Sequence, residues 1–478
     1  MKRKFIYHIL TGLLLFSFSS CKKFLDQDPQ YMLTPEGAVV DENSAQSILN
    51  GAYSFTGKDE YTVRFTGGFS SMLGSVNASS SAYNFNMTAT GDNQYLWAIF
   101  HKTVNGANAA IEAIGSLPED VFITPGRKEE MLGEAYAIRS FANCYQLWYF
   151  ARWWDDPSSE YGIIYKDKAS TLTNVYSPRL TVGESYAKII EDLDYAIAHA
   201  PDYSTGVRVS KQFAQGLKAK LLLYRGTGTD YHDALALVTD VIDKADGLGL
   251  KLEPSLTSLY SNSWDSKELL FCRYREQTDN VVSAYNYTYG YNYATLTITA
   301  LGEQFLQGDP RYNEAWGDVR SPVTGNNTYK RAPTKLCRKG RQEGGDNDKY
   351  TSYFMRLTEL YFMKAELLEK TGAPLAEAME YINRIRRRSG LTDVSVADKN
   401  EFYSVLFKEL FIELHLENDA DFMAAVRFKD PVTGDRLLYS LRNTITIDEN
   451  RLIYPLPTPE MKYNPFIRQN PSYEHLVY

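Results

Sequence analysis

The sequence predicts a mostly α-helical protein, a tetratricopeptide-like scaffold of helical pairs carrying long irregular ligand-binding loops and minor β structure. Two observations lead there. Apolar residues recur at helical spacing in several paired segments broken by Gly or Pro. The intervening stretches, 51–96, 155–180 and 255–350, are rich in Gly, Asn, Ser and Tyr and too long to be simple connections.

Taken in order, the chain opens with the basic Lys2, Arg3 and Lys4. An apolar run, Phe5 to Phe18, follows that is short for a bilayer span, and Ser19, Ser20 and Cys21 then resemble a cleavage site. Residues 1–20 read as a lipoprotein signal, leaving Cys21 for lipidation and a membrane anchor. An ordinary secretory signal with a chance cysteine is the alternative, and both imply export. Residues 21–40, with Pro29 and Pro35, read as a tether. A helical N-terminal region over 41–255 and a C-terminal region over 256–478 are expected to form one compact unit.

Trp97–Ile114 and Met131–Tyr149 are predicted helices, the second with Ala135, Ile138, Ala142, Tyr145 and Tyr149 on one face. Thr181–Ala200 opens with Thr181 and Glu184 spaced as a capping box and stops at Pro201. Lys211–Tyr224 and Tyr231–Lys244 form a helix, turn and helix broken at 226–230. Met355–Arg388 repeats that pattern around Thr371 and Gly372.

Composition narrows the function. Removing residues 1–20 takes away three basic residues and no acid, so the net charge moves from −8 to −11. An acidic body argues against nucleic acid or anionic lipid as a partner. Cys144, Cys272 and Cys337 are widely spaced without a CxxC pair, which favours buried free thiols over a disulfide or a metal site. No GxSxG, HExxH or Walker loop occurs, so no catalytic residue, metal or cofactor is assigned. A glycoside hydrolase working through Asp155 or Asp156 is the enzymatic alternative, although neighbouring loop residues seldom point into one cleft. Glu409, Glu413 and Glu417 share a helical face and read as a solvated face or as partners for Arg386–Arg388, with a cation site as the alternative. Asp346, Asn347 and Asp348 read as a polar turn.

Tyrosine is in excess, 36 against 23 phenylalanines. Tyr285, Tyr287, Tyr289, Tyr291 and Tyr293 alternate with polar residues and Gly290. In an extended segment they would project to one side as a stacking platform for pyranose rings; the alternative is that they pack on the scaffold.

Six ordered stretches resemble the SusD/RagB family of outer-membrane nutrient-binding lipoproteins of Bacteroidetes. These are CKKFLDQDP after the signal; WAIFHKTVNGANAAIEAI with Asn105 and Asn108; GEAYAIRSFANCYQLWYFARWW; TVGESYAKIIEDLDYAI; RLTELYFMKAELL with YINRIRRRSGL; and IYPLPTPEMKYNPFIRQNPSY. One departure stands out: where the family carries Glu-Gly-His-Arg, this chain reads Glu417, Asn418, Asp419 and Ala420, at what is expected to be a structural corner. The resemblance implies capture of an oligo- or polysaccharide and its delivery to a SusC-like TonB-dependent transporter, without catalysis. A peptide ligand, or a transporter lid with no ligand of its own, is the alternative. By position in such proteins, Tyr83, Phe85, Asn93, Tyr95 and Trp316 join Tyr285, Tyr287, Tyr289 and Tyr291 as candidate ligand-binding residues. Trp148, Trp153 and Trp154 are expected in the core.

Overall fold

The computed structural model describes residues 38–56, 75–76, 85–90, 92–273, 297–320, 329–332, 352–443 and 445–476. The signal, Cys21, most of the tether, Tyr83, the tyrosine row, Cys337 and Asp346–Asp348 lie outside these residues.

The first part is a run of helices, each packed on the next: α1 (Glu42–Thr56), α2 (Asp92–Ser116), α3 (Arg127–Phe150), α4 (Val182–His199), α5 (Lys211–Arg225) and α6 (Asp230–Lys244). Thr181 caps α4 with both halves of the expected box: its side chain accepts from the Glu184 N–H, and Glu184 accepts from the Thr181 N–H. The helix α5 ends on Gly226 at φ +61°, a left-handed conformation that costs glycine nothing.

The central helix α3 is covered on all sides, with every residue from Met131 to Phe150 except Tyr136 buried. A one-faced apolar pattern therefore understates it, because its polar residues are buried as well and must be paired. Arg139 meets Asp192 of α4 in a two-pronged bond at 2.9 and 2.5 Å and donates to Asn108 of α2 at 2.8 Å. Glu134 accepts from Tyr53, Arg127 and Arg208. Gly133 permits the close approach of α3 to the end of α4, since a Cβ there would fall 2.3 Å from the Ala200 nitrogen.

Beyond α6 the chain makes α7 (Leu256–Asn262), β2 (Leu269–Cys272), α8 (Ala300–Leu306), α9 (Arg311–Ala315) and the hairpin β4 (Gly317–Arg320) and β5 (Tyr329–Ala332). It returns through β6 (Tyr353–Arg356), which pairs antiparallel with β2, so one buried ribbon clamps both ends of the 273–352 excursion. The pair α10 (Leu357–Lys370) and α11 (Leu375–Arg388) then resumes the helical array, with α10 lying on α6. The fold is thus mostly helical, with a tetratricopeptide-like arrangement of pairs and three two-stranded sheets among the described residues. It closes with α12 (Lys399–Leu414), α13 (Ala420–Arg427), α14 (Leu437–Leu441) and α15 (Thr458–Tyr463).

The C-terminal stretch is woven into the first half of the chain. The Tyr454 N–H donates to the Tyr149 carbonyl at 2.7 Å, and Asn470 Nδ2 donates to the carbonyls of Phe150 and Tyr454 at 2.9 Å. Trp148 and Trp153 are core residues, while Trp154 is only half-buried against it. Cys144 and Cys272 are both buried.

The acidic run corrects the solvated-face expectation. Glu409 and Glu413 are fully buried, α12 ends at Leu414, and Glu417 lies beyond it. Arg386 and Arg388 are partners, as expected, whereas Arg387 pairs with Glu380 and Asp393, and Arg311 and Arg356 join the cluster from distant segments. With Glu268 and Asp309, the described residues of the cluster are five carboxylates and four guanidiniums. Charges this deep persist only when mutually paired.

The corner after α12 explains the departure from the family sequence. Leu416, Asn418 and Asp419 all have positive φ, +61°, +54° and +53°. Glycine is the usual answer to such a conformation, and Asn and Asp are the side chains that tolerate it best. Asn418 also donates to the Phe354 carbonyl, and Tyr149 donates to Asp419, so the corner is buried and bonded rather than open to a ligand.

Candidate ligand-binding site

Two of the long loops are tied to each other. The short strand β1 (Ser75–Val76) pairs antiparallel with β3 (Thr297–Ile298), in register Ser75↔Ile298 and Val76↔Thr297, and β3 lies against β5. These strands belong to stretches 51–96 and 255–350, which carry the candidate aromatic residues. Two segments more than 200 positions apart thereby meet on one side of the helical array.

The described candidates divide clearly. Tyr95, in the first turn of α2, is 48% exposed. Phe85 is buried at φ +53°, with the Arg442 guanidinium 5.7 Å from its ring centre and Arg451 donating to its carbonyl. Asn93 is buried and donates to the Pro455 carbonyl at 3.1 Å, fastening the start of α2 to the C-terminal stretch. Trp316 is buried at the root of the β4–β5 hairpin, stacked on His415 at 5.7 Å with the rings 13° apart. His415 Nδ1 in turn lies 2.6 Å from Asp421. Among the described candidates, then, Tyr95 alone presents a face to solvent, while Phe85, Asn93 and Trp316 anchor the segments that carry the loops. Tyr83, Tyr285, Tyr287, Tyr289 and Tyr291 lie outside the described residues.

The ionic cluster is the foundation under the hairpin. Arg311, in α9, is bound by Asp309 at 2.7 Å, Glu409 at 2.8 Å and Glu413 at 3.0 Å, and α9 runs directly into Trp316. Burial alone would raise the Glu413 carboxyl, but Arg388, Arg311 and Arg356 hold it well below its ordinary value. A segment rooted on interlocked charges keeps its geometry. Sequence spacing could not reveal this, because the arginines lie up to 120 residues from their acids.

The alternative carboxylates are otherwise engaged. Asp155 is bound by Arg152 at 2.6 Å, and Asp156 accepts from the Ser158 N–H and hydroxyl within its own turn. Among the described residues no group of three or more His, Cys, Asp or Glu side chains is arranged to hold a metal ion. No helix of the described residues is long and apolar enough to cross a membrane.

Comparison with known proteins agrees with this architecture. Residues 274–473 match the SusD family model, and residues 23–223 match a SusD-like family described as starch-binding and associating with the outer membrane. The SusD-like protein P2 of Formosa agariphila is 24% identical, over 98% of this chain and 99% of its own. A SusD superfamily structure from Bacteroides thetaiotaomicron superposes with a TM-score of 0.73 at 21% identity, covering 90% of this chain and all of its own. A laminarin-binding SusD-like protein superposes at 0.70 and 20% identity, covering 91% of this chain and all of its own. Matched across both halves by models of one family, and sharing its fold, the chain belongs to the SusD family.

Proposed function

We propose that this protein is a lipid-anchored receptor at the outer-membrane surface, which binds an oligo- or polysaccharide and passes it to a SusC-like TonB-dependent transporter. The observation that carries the proposal is the β1–β3 pairing, which ties together two stretches whose sequences are rich in Tyr, Asn and Ser. Family membership and the laminarin-binding neighbour support the ligand class. Aromatic faces would supply affinity through the apolar C–H faces of pyranose rings, and Asn and Tyr tips would orient the hydroxyls. Capture and release need no nucleophile, and none is proposed. Residues 1–20 would serve as the lipoprotein signal and Cys21 as the lipid site.

Calorimetric titration against a panel of neutral glycans, with a peptide digest as comparator, tests this. One glycan should bind, and Tyr287→Ala with Tyr291→Ala should abolish that binding. Binding only to peptides would replace the glycan by a peptide ligand, and no binding at all would leave a transporter lid. Co-purification with a barrel transporter from outer membranes, lost on Cys21→Ala, tests the anchor and the partner.

A further inference from the structure

A cavity of about 340 Å³ opens between residues 160–161, 178–184 and 466–468. Arg179 lines it, half-buried, and differs from the arginines of α3 and of the ionic cluster. Arg139, Arg311, Arg356 and Arg388 each bind at least one carboxylate. Arg179 binds none. Its Nε donates to the Gly162 carbonyl at 2.7 Å, Nη1 to Asn470 Oδ1 at 2.7 Å and to the Arg468 carbonyl at 3.4 Å, and Nη2 to the Phe150 carbonyl at 3.1 Å. A guanidinium has five N–H groups, so one on Nη2 is left over, together with a whole positive charge. Burial disfavours that charge and pushes the group down to about 9, with Tyr161 opposing.

The rim holds what an anionic sugar would need. Phe466 is 61% exposed, an aromatic face with nothing stacked on it among the described rings. Tyr161 lies beneath the Arg179 guanidinium at 5.5 Å. Arg468 sits 3.7 Å from Glu160, but the two side chains are 82% and 77% exposed, and such a pair holds weakly. Arg468 can therefore be drawn to a ligand. Glu184, the other lining acid, is already committed to the Thr181 cap. The volume suits about one sugar unit and is at the small end of the ~300–1,000 Å³ usual for ligand pockets.

We propose that this cavity is a second saccharide site selecting an acidic unit, whose carboxylate or sulfate meets Arg179 and Arg468 while its ring lies on Phe466. The proposal takes the sugar from the glycan-capture reading but does not depend on the tyrosine loops. It would give the protein a hold on charged chains that draws on residues other than the tyrosine row.

The test is calorimetry on the full lipidated chain in detergent, with matched neutral, uronate-bearing and sulfated oligosaccharides, at low and high salt. Arg179 is left intact because it also fastens the C-terminal stretch, so the variants are Arg468→Ala and Phe466→Ala. At least one acidic oligosaccharide should bind about tenfold tighter than its neutral match, weaken with salt, and lose about tenfold in each variant. Tyr287→Ala with Tyr291→Ala should leave this component in place. Which acidic ligand responds separates carboxylate from sulfate. Equal affinity for neutral and acidic chains, insensitivity to both variants, or equal binding of an acidic peptide would overturn the proposal. If neutral glycans bind through Tyr287 and Tyr291 while acidic chains ignore Arg468 and Phe466, this site falls and glycan capture stands; if no glycan binds, both fall.

Discussion

Replacing Arg356 with Met should unfold the protein more easily by an amount that can be worked from its bonds. The side chain is buried at the junction of β6 and α10. It contacts Glu268 at 2.7 Å, Glu417 at 2.8 Å, the Glu413 carbonyl at 2.8 Å and the Glu413 carboxylate at 3.3 Å. Methionine fills much of the stem's volume, so the change is mainly one of charge. Glu268 and Glu413 retain Arg388, but among the described residues the cluster would hold five carboxylates against three guanidiniums. Removing one member of a buried ionic group costs about 3–5 kcal/mol, against a total stability of about 5–15 kcal/mol. Unfolding entropy near 2.1 cal/mol/K per residue amounts to roughly 1 kcal/mol/K for a chain of this length, so the melting temperature should fall by about 3–5 °C. Circular dichroism melts of wild type, Arg356→Met and Arg356→Lys at pH 7 measure it. Lysine, keeping charge without the planar fork, should fall between the other two. A methionine variant that melts within about 1 °C of wild type, or above it, would refute the view that these charges depend on one another.

Further outcomes follow from individual groups. Glu413 has its folded pKa depressed, so the unfolded chain takes up the proton first; its contribution is present above the ordinary 4.5 and lost as pH falls below it. Melting temperature between pH 5 and 3 should therefore drop more steeply in wild type than in Glu413→Gln. Thr181→Ala removes half of the α4 capping box and should cost about 1 kcal/mol in urea unfolding, whereas Thr181→Ser should stay near wild type. Gly133→Ala drives a methyl into the Ala200 backbone and should cost about 1–3 kcal/mol, seen as a lower denaturation midpoint. Asn418→Val forces a β-branched residue to φ +54° and should cost about 1–3 kcal/mol by the same assay. Asn418→Gly, losing only the bond to Phe354, should cost less.

Much of the scaffold could be read from the sequence because α3 to α6, α10 and α11 bury apolar residues at a helical period. Helix α12 was harder: its face carries Glu409 and Glu413, which periodicity assigns to water unless their partners are known. Those partners come from α9, β6 and α11, and charge burial is a property of the assembly rather than of the spacing. The candidate site was legible in part. Aromatic residues in long loops pointed to a binding face, but Phe85 and Trp316 look no different in sequence from Tyr95. Only burial separates the anchors from the exposed ring. The cavity at Arg179 left no trace, because its lining comes from three segments separated by up to about 300 residues.

Local chemistry, then, is what the sequence determined by itself: helix periods, the Thr181 cap, the breaks at Gly226 and Gly372, and the motifs that mark the family. Each of these is decided within a few neighbouring residues, so linear order carries it. Tertiary structure decided which acids are buried, which aromatic residues face water, how Ser75 meets Ile298, and where a guanidinium is left without a counter-charge. Those depend on desolvation and on partners tens to hundreds of residues away, and both exist only once the chain has folded.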